Sequence, residues 1–134
     1  MAQGRVLVVD DEADIRKSVR LILTKAGYEV IEAEDGEKGI AAVKSGDNPL
    51  LLNAIICDLQ MPKINGMEAI TFFRAQFPSV PVIVLTGTGT IDKARTLFKQ
   101  GVMDYLVKPL EPAKLTEAVS KAVQQSGYKD DHVT

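Results

Sequence analysis

The chain has 134 residues, 46% hydrophobic and 25% charged, with one cysteine and a formal net charge of -2. That length predicts one domain over residues 1–134 with a core that needs no disulfide or metal staple, and the composition excludes disorder and fibrous repeats. The acidic balance argues against a direct nucleic-acid surface, the lone Cys57 rules out an internal disulfide or thiolate cage, and no apolar run reaches bilayer-spanning length, so a cytoplasmic protein is expected.

In chain order, Arg5 to Val9 reads as a first strand, followed by a helix with Ile15, Val19, Ile22 and Ala26 on one face. Tyr28 to Glu32 is a second strand, and Glu37 to Lys44 a second helix despite Gly39, which costs about 1 kcal/mol against alanine. Ala54 to Cys57 is a third strand, and Met67, Ile70, Phe73 and Phe77 mark a third helix. Pro81 to Leu85 is a fourth strand, with Ile91, Ala94 and Phe98 as the apolar face of the next helix. Tyr105 to Val107 is a fifth strand, and a last helix after Pro112 aligns Leu115, Ala118, Val119, Ala122 and Val123. Gly27, Gly46 and Gly101 fall just past helix ends, where positive φ closes the turn. Residues 126–134 read as a polar, frayed end that includes a solvated His132, leaving a core of about 5–125.

Strand and helix thus alternate, and strands 1, 3 and 4 are near-continuous apolar runs, the pattern of a parallel sheet buried on both faces. The expectation is an α/β doubly wound sheet in the order 2-1-3-4-5. Ligands of such sheets bind beyond the carboxyl ends of the strands, where the order reverses. Strand 1 ends in Asp10-Asp11-Glu12, strand 3 in Asp58, strand 4 in Thr86 and strand 5 in Lys108. Carboxylates crowded at one crevice either share a proton or hold a hard cation, and a cation is the better account: Mg²⁺ binds through one or two carboxylates plus water and phosphate oxygens. With a lysine and a hydroxyl added, the set describes an aspartate that receives a phosphoryl group.

These residues resemble the receiver domains of two-component response regulators, over about Arg5 to Gln125. The resemblance rests on Val8-Val9-Asp10-Asp11-Glu12, on Asp58-Leu59-Gln60-Met61-Pro62 with Asn65-Gly66, on Val84-Leu85-Thr86-Gly87, and on Gly101-Val102-Met103-Asp104-Tyr105-Leu106-Val107-Lys108-Pro109. It implies a flavodoxin-like (βα)5 fold in a chemotaxis-regulator-like domain. Asp58 would be the phosphoacceptor, served by a sensor histidine kinase, a histidine phosphotransfer protein or a small acyl phosphate. It further implies Mg²⁺ held by Asp11, Asp58 and the main-chain carbonyl of Gln60, with Asp10 on metal-bound water. Thr86 and Lys108 would grip the phosphoryl oxygens, and Tyr105 would turn inward as Thr86 moves. The surface of the fourth helix, fifth strand and fifth helix would carry the signal to a downstream target or output domain. A cis Lys108-Pro109 bond is part of the same expectation.

Gly87 stands where the family usually has alanine, leaving space beside the site. The stretch Asn48-Pro49-Leu50-Leu51-Leu52-Asn53 makes a longer loop than usual before strand 3, expected to alter packing far from the chemistry. Gln60 and Thr88 occupy positions that tune phosphoryl lifetime in the family. Singly, each site residue has a plainer reading: the acids after strand 1 as helix N-terminal charges, Asp58 as a turn residue, Thr86 as a strand former, Lys108 as a solvated charge, Tyr105 as packing and Cys57 as inert core. Their joint placement favours the site. The enzyme rival is a Mg²⁺-dependent aspartate-nucleophile phosphohydrolase, but Gln60 stands where its second aspartate would act as general acid. Phosphorylation and dephosphorylation of its own Asp58 is therefore the only chemistry expected. Lys93, Arg95, Lys99 and Lys121 are open to partner or homodimer contacts, and are more often simply solvated.

Overall fold

In the computed structural model, residues 3–61, 65–87 and 89–133 are described, with side chains to residue 125; Pro62, Thr88, Thr134 and the side chain of His132 lie outside them. The strands are β1 Arg5–Val9, β2 Glu29–Ala33, β3 Leu52–Cys57, β4 Val82–Thr86 and β5 Asp104–Val107. The helices are α1 Ala13–Lys25, α2 Gly36–Lys44, α3 Asn48–Leu51, α4 Gly66–Gln76, α5 Ile91–Lys99 and α6 Pro112–Val133. The strands form one sheet in the order β2-β1-β3-β4-β5, and every pairing in it is parallel.

Alternation along the strands divides the interior into two layers, because successive side chains point to opposite faces. Leu7, Val9, Ile55, Cys57, Val82 and Val84 face α2, α4 and α5, packing with Val43, Ile70, Phe73 and Leu97. Val6, Val8, Ala54, Ile56, Ile83 and Leu85 face α1 and α6, packing with Val19, Leu23, Leu115 and Val119. Burial on both faces explains why the central strands carry almost no polar residue until they end.

Local chemistry sets the helix starts. Asp35, Asn65 and Thr90 cap α2, α4 and α5 by accepting from the backbone N–H groups of Lys38, Glu68 and Lys93 at 2.8, 3.0 and 3.1 Å. Gly27, Gly46 and Gly101 have φ of 98°, 55° and 93°, as their places after helices require. Gly39 is tolerated inside α2 because a Cβ there would meet Val9 Cγ2 at 2.9 Å; its absence lets the helix lie against β1.

Three features depart from the sequence expectations. The stretch before strand 3 is not all loop: Asn48–Leu51 turns once as α3 with Pro49 in its first turn, and β3 starts two residues early at Leu52. The apolar face Ile91, Ala94, Phe98 does not pack on the sheet. Leu97 is fully buried in its place, while Ile91 is 78% and Phe98 49% exposed. Both stripes satisfy helical spacing, and only one fits against β4 and β5. Finally, α6 runs on to Val133 through the residues expected to fray. Among the described residues no helix is long and apolar enough to cross a membrane.

Candidate functional site

The parallel ladder continues one residue past several strands and thereby fixes the polar groups at its carboxyl end. The backbone N–H of Asp10 donates to Ala33 O of β2 at 3.1 Å, that of Asp58 to Val9 O of β1 at 3.0 Å, and that of Lys108 to Thr86 O of β4 at 2.8 Å. Residues from three strand ends are thus held to the precision of the sheet rather than of a loop. Arg16 of α1 reinforces the first of them, donating from Nη1 to the Asp10 carbonyl at 2.6 Å.

Four carboxylates, Asp10, Asp11, Glu12 and Asp58, converge so that one oxygen of each lies within 4.8 Å of the others. Asp10 and Asp58 are buried, whereas Asp11 and Glu12 face solvent. Lys108 closes the crevice from β5: its Nζ lies 2.8 Å from Glu12 Oε1, 3.1 Å from Asp10 Oδ2 and 3.2 Å from Asp58 Oδ2. The other Asp58 oxygen accepts from the Gln60 backbone N–H at 3.2 Å, and the second Asp10 oxygen from the Glu12 backbone N–H at 2.9 Å. Thr86 is fully buried at the end of β4, in register with Val107 immediately before Lys108.

The electrostatics follow from that packing. Burial pushes the Asp10 carboxyl above the ordinary carboxylate range, with the nearby Asp58 charge adding to it, against the opposing pull of the Glu12 N–H and Lys108. For Lys108 burial works the other way, but the hydrogen bonds to Glu12 and Asp10 and the charges of Asp10 and Asp58 prevail, and the ammonium is held above its usual range. The site is a partly desolvated anionic crevice with one cation already in it. Its donors are all hard oxygens, a set that suits a small divalent cation such as Mg²⁺ rather than a thiophilic metal.

Of the residues expected at the site, all but Tyr105 lie at this end of the sheet, at differing distances from the crevice. Asp10, Asp11, Asp58 and Lys108 form the crevice, Thr86 ends the neighbouring strand, and Gln60 contributes its backbone to Asp58 while its side chain is exposed. Tyr105 is half-buried on β5, opposite Val84, and packs towards the α4/α5 layer, where a Cβ at Gly89 would come within 3.4 Å of its ring. The Lys108–Pro109 bond is cis. Two residues that stand in the sequence motifs but carry no assigned role there belong to the assembly. Glu12 makes the shortest of the three contacts to Lys108, and its only signal in the sequence is being the third acid in a row. Gly66 is the other: a Cβ there would sit 2.0 Å from the Asp58 carbonyl oxygen and 2.4 Å from Leu59 Cα, so α4 is seated directly on the backbone that carries Asp58. The Gly66 N–H donates to Leu59 O across the same contact, at 2.9 Å.

Comparison with known proteins gives the same architecture a family. Residues 6–120 match the response regulator receiver domain. The chain is similar to the chemotaxis protein CheY of Thermotoga maritima, 36% identical over 118 residues that cover 87% of this chain and 95% of that protein. It is also similar to the transcriptional regulatory protein GlrR of Escherichia coli, 34% identical over 128 residues, 96% of this chain but only 28% of GlrR. Among solved structures, a response regulator receiver domain protein from Clostridium thermocellum superposes with a TM-score of 0.86 at 30% identity, covering 93% of this chain and 98% of the other. A match that runs from the first strand into the last helix, in sequence and in coordinates alike, means that this chain belongs to the receiver domains of two-component response regulators.

Proposed function

We propose that this receiver domain takes its phosphoryl group on Asp58. The observation that carries the reading is the position of Lys108, whose Nζ bridges Asp58 at 3.2 Å and Asp10 at 3.1 Å across two buried carboxylates. An oxygen of Asp58 attacks phosphorus; the new O–P bond forms as the donor's P–N bond to histidine, or P–O bond to an acyl group, breaks. Lys108 then neutralises one phosphoryl oxygen, and Thr86 at the end of β4 offers a hydroxyl to another. Asp11, Asp58 and the Gln60 main-chain carbonyl would hold Mg²⁺, with Asp10 acting through bound water. The ion supplies positive charge against the phosphoryl oxygens when present.

The donor is a sensor histidine kinase, a histidine phosphotransfer protein or a small acyl phosphate, and the setting is the cytoplasm. The recipient of the signal is a downstream protein or output domain, and the chain performs no turnover beyond loss of its own phosphoryl group. Readout falls to the surface of α5, β5 and α6, with Thr86 and Tyr105 as the link. Support for that surface comes from Ile91, Phe98 and Val107, large apolar residues that are 78%, 49% and 51% exposed on α5 and β5. Phosphorylation acts by favouring one of two arrangements, so only contacts that differ between them contribute.

The test is incubation with Mg²⁺ and acetyl phosphate followed by intact mass. One labile phosphate-sized gain per chain is expected, lost in Asp58→Asn. An undiminished gain in that variant would sink the assignment, and turnover of a generic phosphoester far above the protein's stoichiometry would favour a phosphohydrolase instead.

A further inference from the structure

Asp11 lies between β1 and α1, exposed and outside both elements, so the direction of its carboxylate is set by the peptide group through which the chain enters it. That group joins Asp10 to Asp11, and because a peptide is planar, whatever holds the Asp10 carbonyl also fixes the bond leading to Asp11 Cα. Arg16 holds it: Nη1 donates to the Asp10 carbonyl oxygen at 2.6 Å. The same guanidinium donates from Nε to Glu32 Oε1 at 3.3 Å, and Glu32 stands on β2 in register with Val8 of β1. The other Glu32 oxygen accepts from Arg20 Nε at 2.5 Å. Ala33, the next residue of β2, accepts the Asp10 N–H at 3.1 Å, so β2 governs Asp10 at its amide directly and at its carbonyl through Arg16. The Arg16 side chain is 16% exposed, against 46% for Arg20. A guanidinium is a rigid planar fork, so one arm seated on Glu32 dictates where the other points.

We infer that Arg16 is a positioning residue for the metal-binding acids: anchored on Glu32 of β2, it holds the peptide between Asp10 and Asp11 so that the Asp11 carboxylate meets Asp58 across the crevice. The inference rests on the reading that Asp11 and Asp58 hold Mg²⁺. Arg16 acts on the ion only through the backbone. Its charge is not the working feature, because a cation beside the crevice opposes a second one. Arg16→Lys therefore isolates the geometry: it keeps the charge and gives up the second, rigidly attached donor. Arg20→Lys is the matched control, altering the other grip on Glu32 at a residue that does not hold the Asp10 carbonyl.

Amide NMR titration of the full chain with Mg²⁺, without any phosphodonor, reads the affinity, and a urea midpoint in the absence of metal reads the fold. Arg16→Lys is expected to weaken Mg²⁺ binding about tenfold, the lower end for outer-shell partners of a metal site. Arg20→Lys should bind as the wild type does, whatever it loses in urea midpoint. Glu32→Asp keeps the charge but draws the anchor back, and should weaken Mg²⁺ binding by less than Arg16→Lys does. A clamp that merely ties α1 to β2 would lower the urea midpoint in all three variants and leave Mg²⁺ affinity alone. Wild-type affinity in Arg16→Lys, or an equal loss in Arg20→Lys, overturns the inference. Should Arg16→Lys not fold, Glu32→Asp decides, and wild-type affinity there overturns it. Failure of the metal reading is distinguishable, because the wild type itself would then show no saturable shift at the Asp11 and Asp58 amides.

Discussion

Asp10 illustrates how a side chain can serve the site at the expense of the fold. Its carboxyl is raised above its ordinary value of 3.8, chiefly by burial. The folded chain therefore binds that proton more tightly than the unfolded chain does. Stability linked to Asp10 is present below 3.8 and is lost as pH rises through the native value. Asp10→Asn removes the buried charge, so without metal it should need more urea to unfold than the wild type at neutral pH, with the difference shrinking towards pH 4. An unchanged or lower midpoint at neutral pH would count against burial as the dominant influence. Most of this residue's placement in the acidic crevice was legible from its position after strand 1. The part that was not is Glu12, because a third acid at a helix start is equally well explained by the helix dipole until its distance to Lys108 is seen.

Among the elements, α4 and α5 differ in how tightly they are held. The α4 N-terminus touches backbone, and at Gly66 a Cβ would overlap the Asp58 carbonyl at 2.0 Å with no flexible side chain to yield. Gly66→Ala is expected to cost about 3 kcal/mol, the upper end for overpacking, measured as a drop in urea midpoint. Gly87→Ala is the natural control. Among the described residues a Cβ there meets only Lys108 Cδ, at 3.9 Å, so this change should be neutral or add about 0.4–1 kcal/mol by restricting the unfolded chain. α5 instead buries only Leu97 and turns Ile91 and Phe98 outward. Its existence was readable from periodicity, but its orientation was not. An apolar stripe that meets a sheet and one left for a partner have the same spacing, and the choice is made by the shape of β4 and β5. For α3 the difficulty was length: a single turn opened by Asn48 and Pro49 carries too few residues for any period to register. Even Gly66, plain in the sequence, says only that a side chain is excluded, and what excludes it is a contact between segments.

For the whole molecule, strand order was the most transferable expectation, because β-α alternation with doubly buried strands admits few sheets, and 2-1-3-4-5 is the one observed. That order brings the ends of β1 and β3 together, and with them the excess of negative charge. A ligand that binds only the folded crevice must raise global stability. Mg²⁺ at a hundred times its dissociation constant is expected to add about 2.7 kcal/mol, seen as a higher melting temperature that a chelator reverses. The shift should be smaller in Asp58→Asn, and an equal shift there would place the ion elsewhere.

Cys57, the chain's only cysteine, is fully buried one residue before Asp58. Burial holds its thiol protonated, and the charges of Asp58 and Asp10 act in the same direction. A maleimide or iodoacetamide therefore reaches it only when the sheet parts at the end of β3. The rate of alkylation becomes a clock for that opening, built into the strand that carries the aspartate and needing no engineered label.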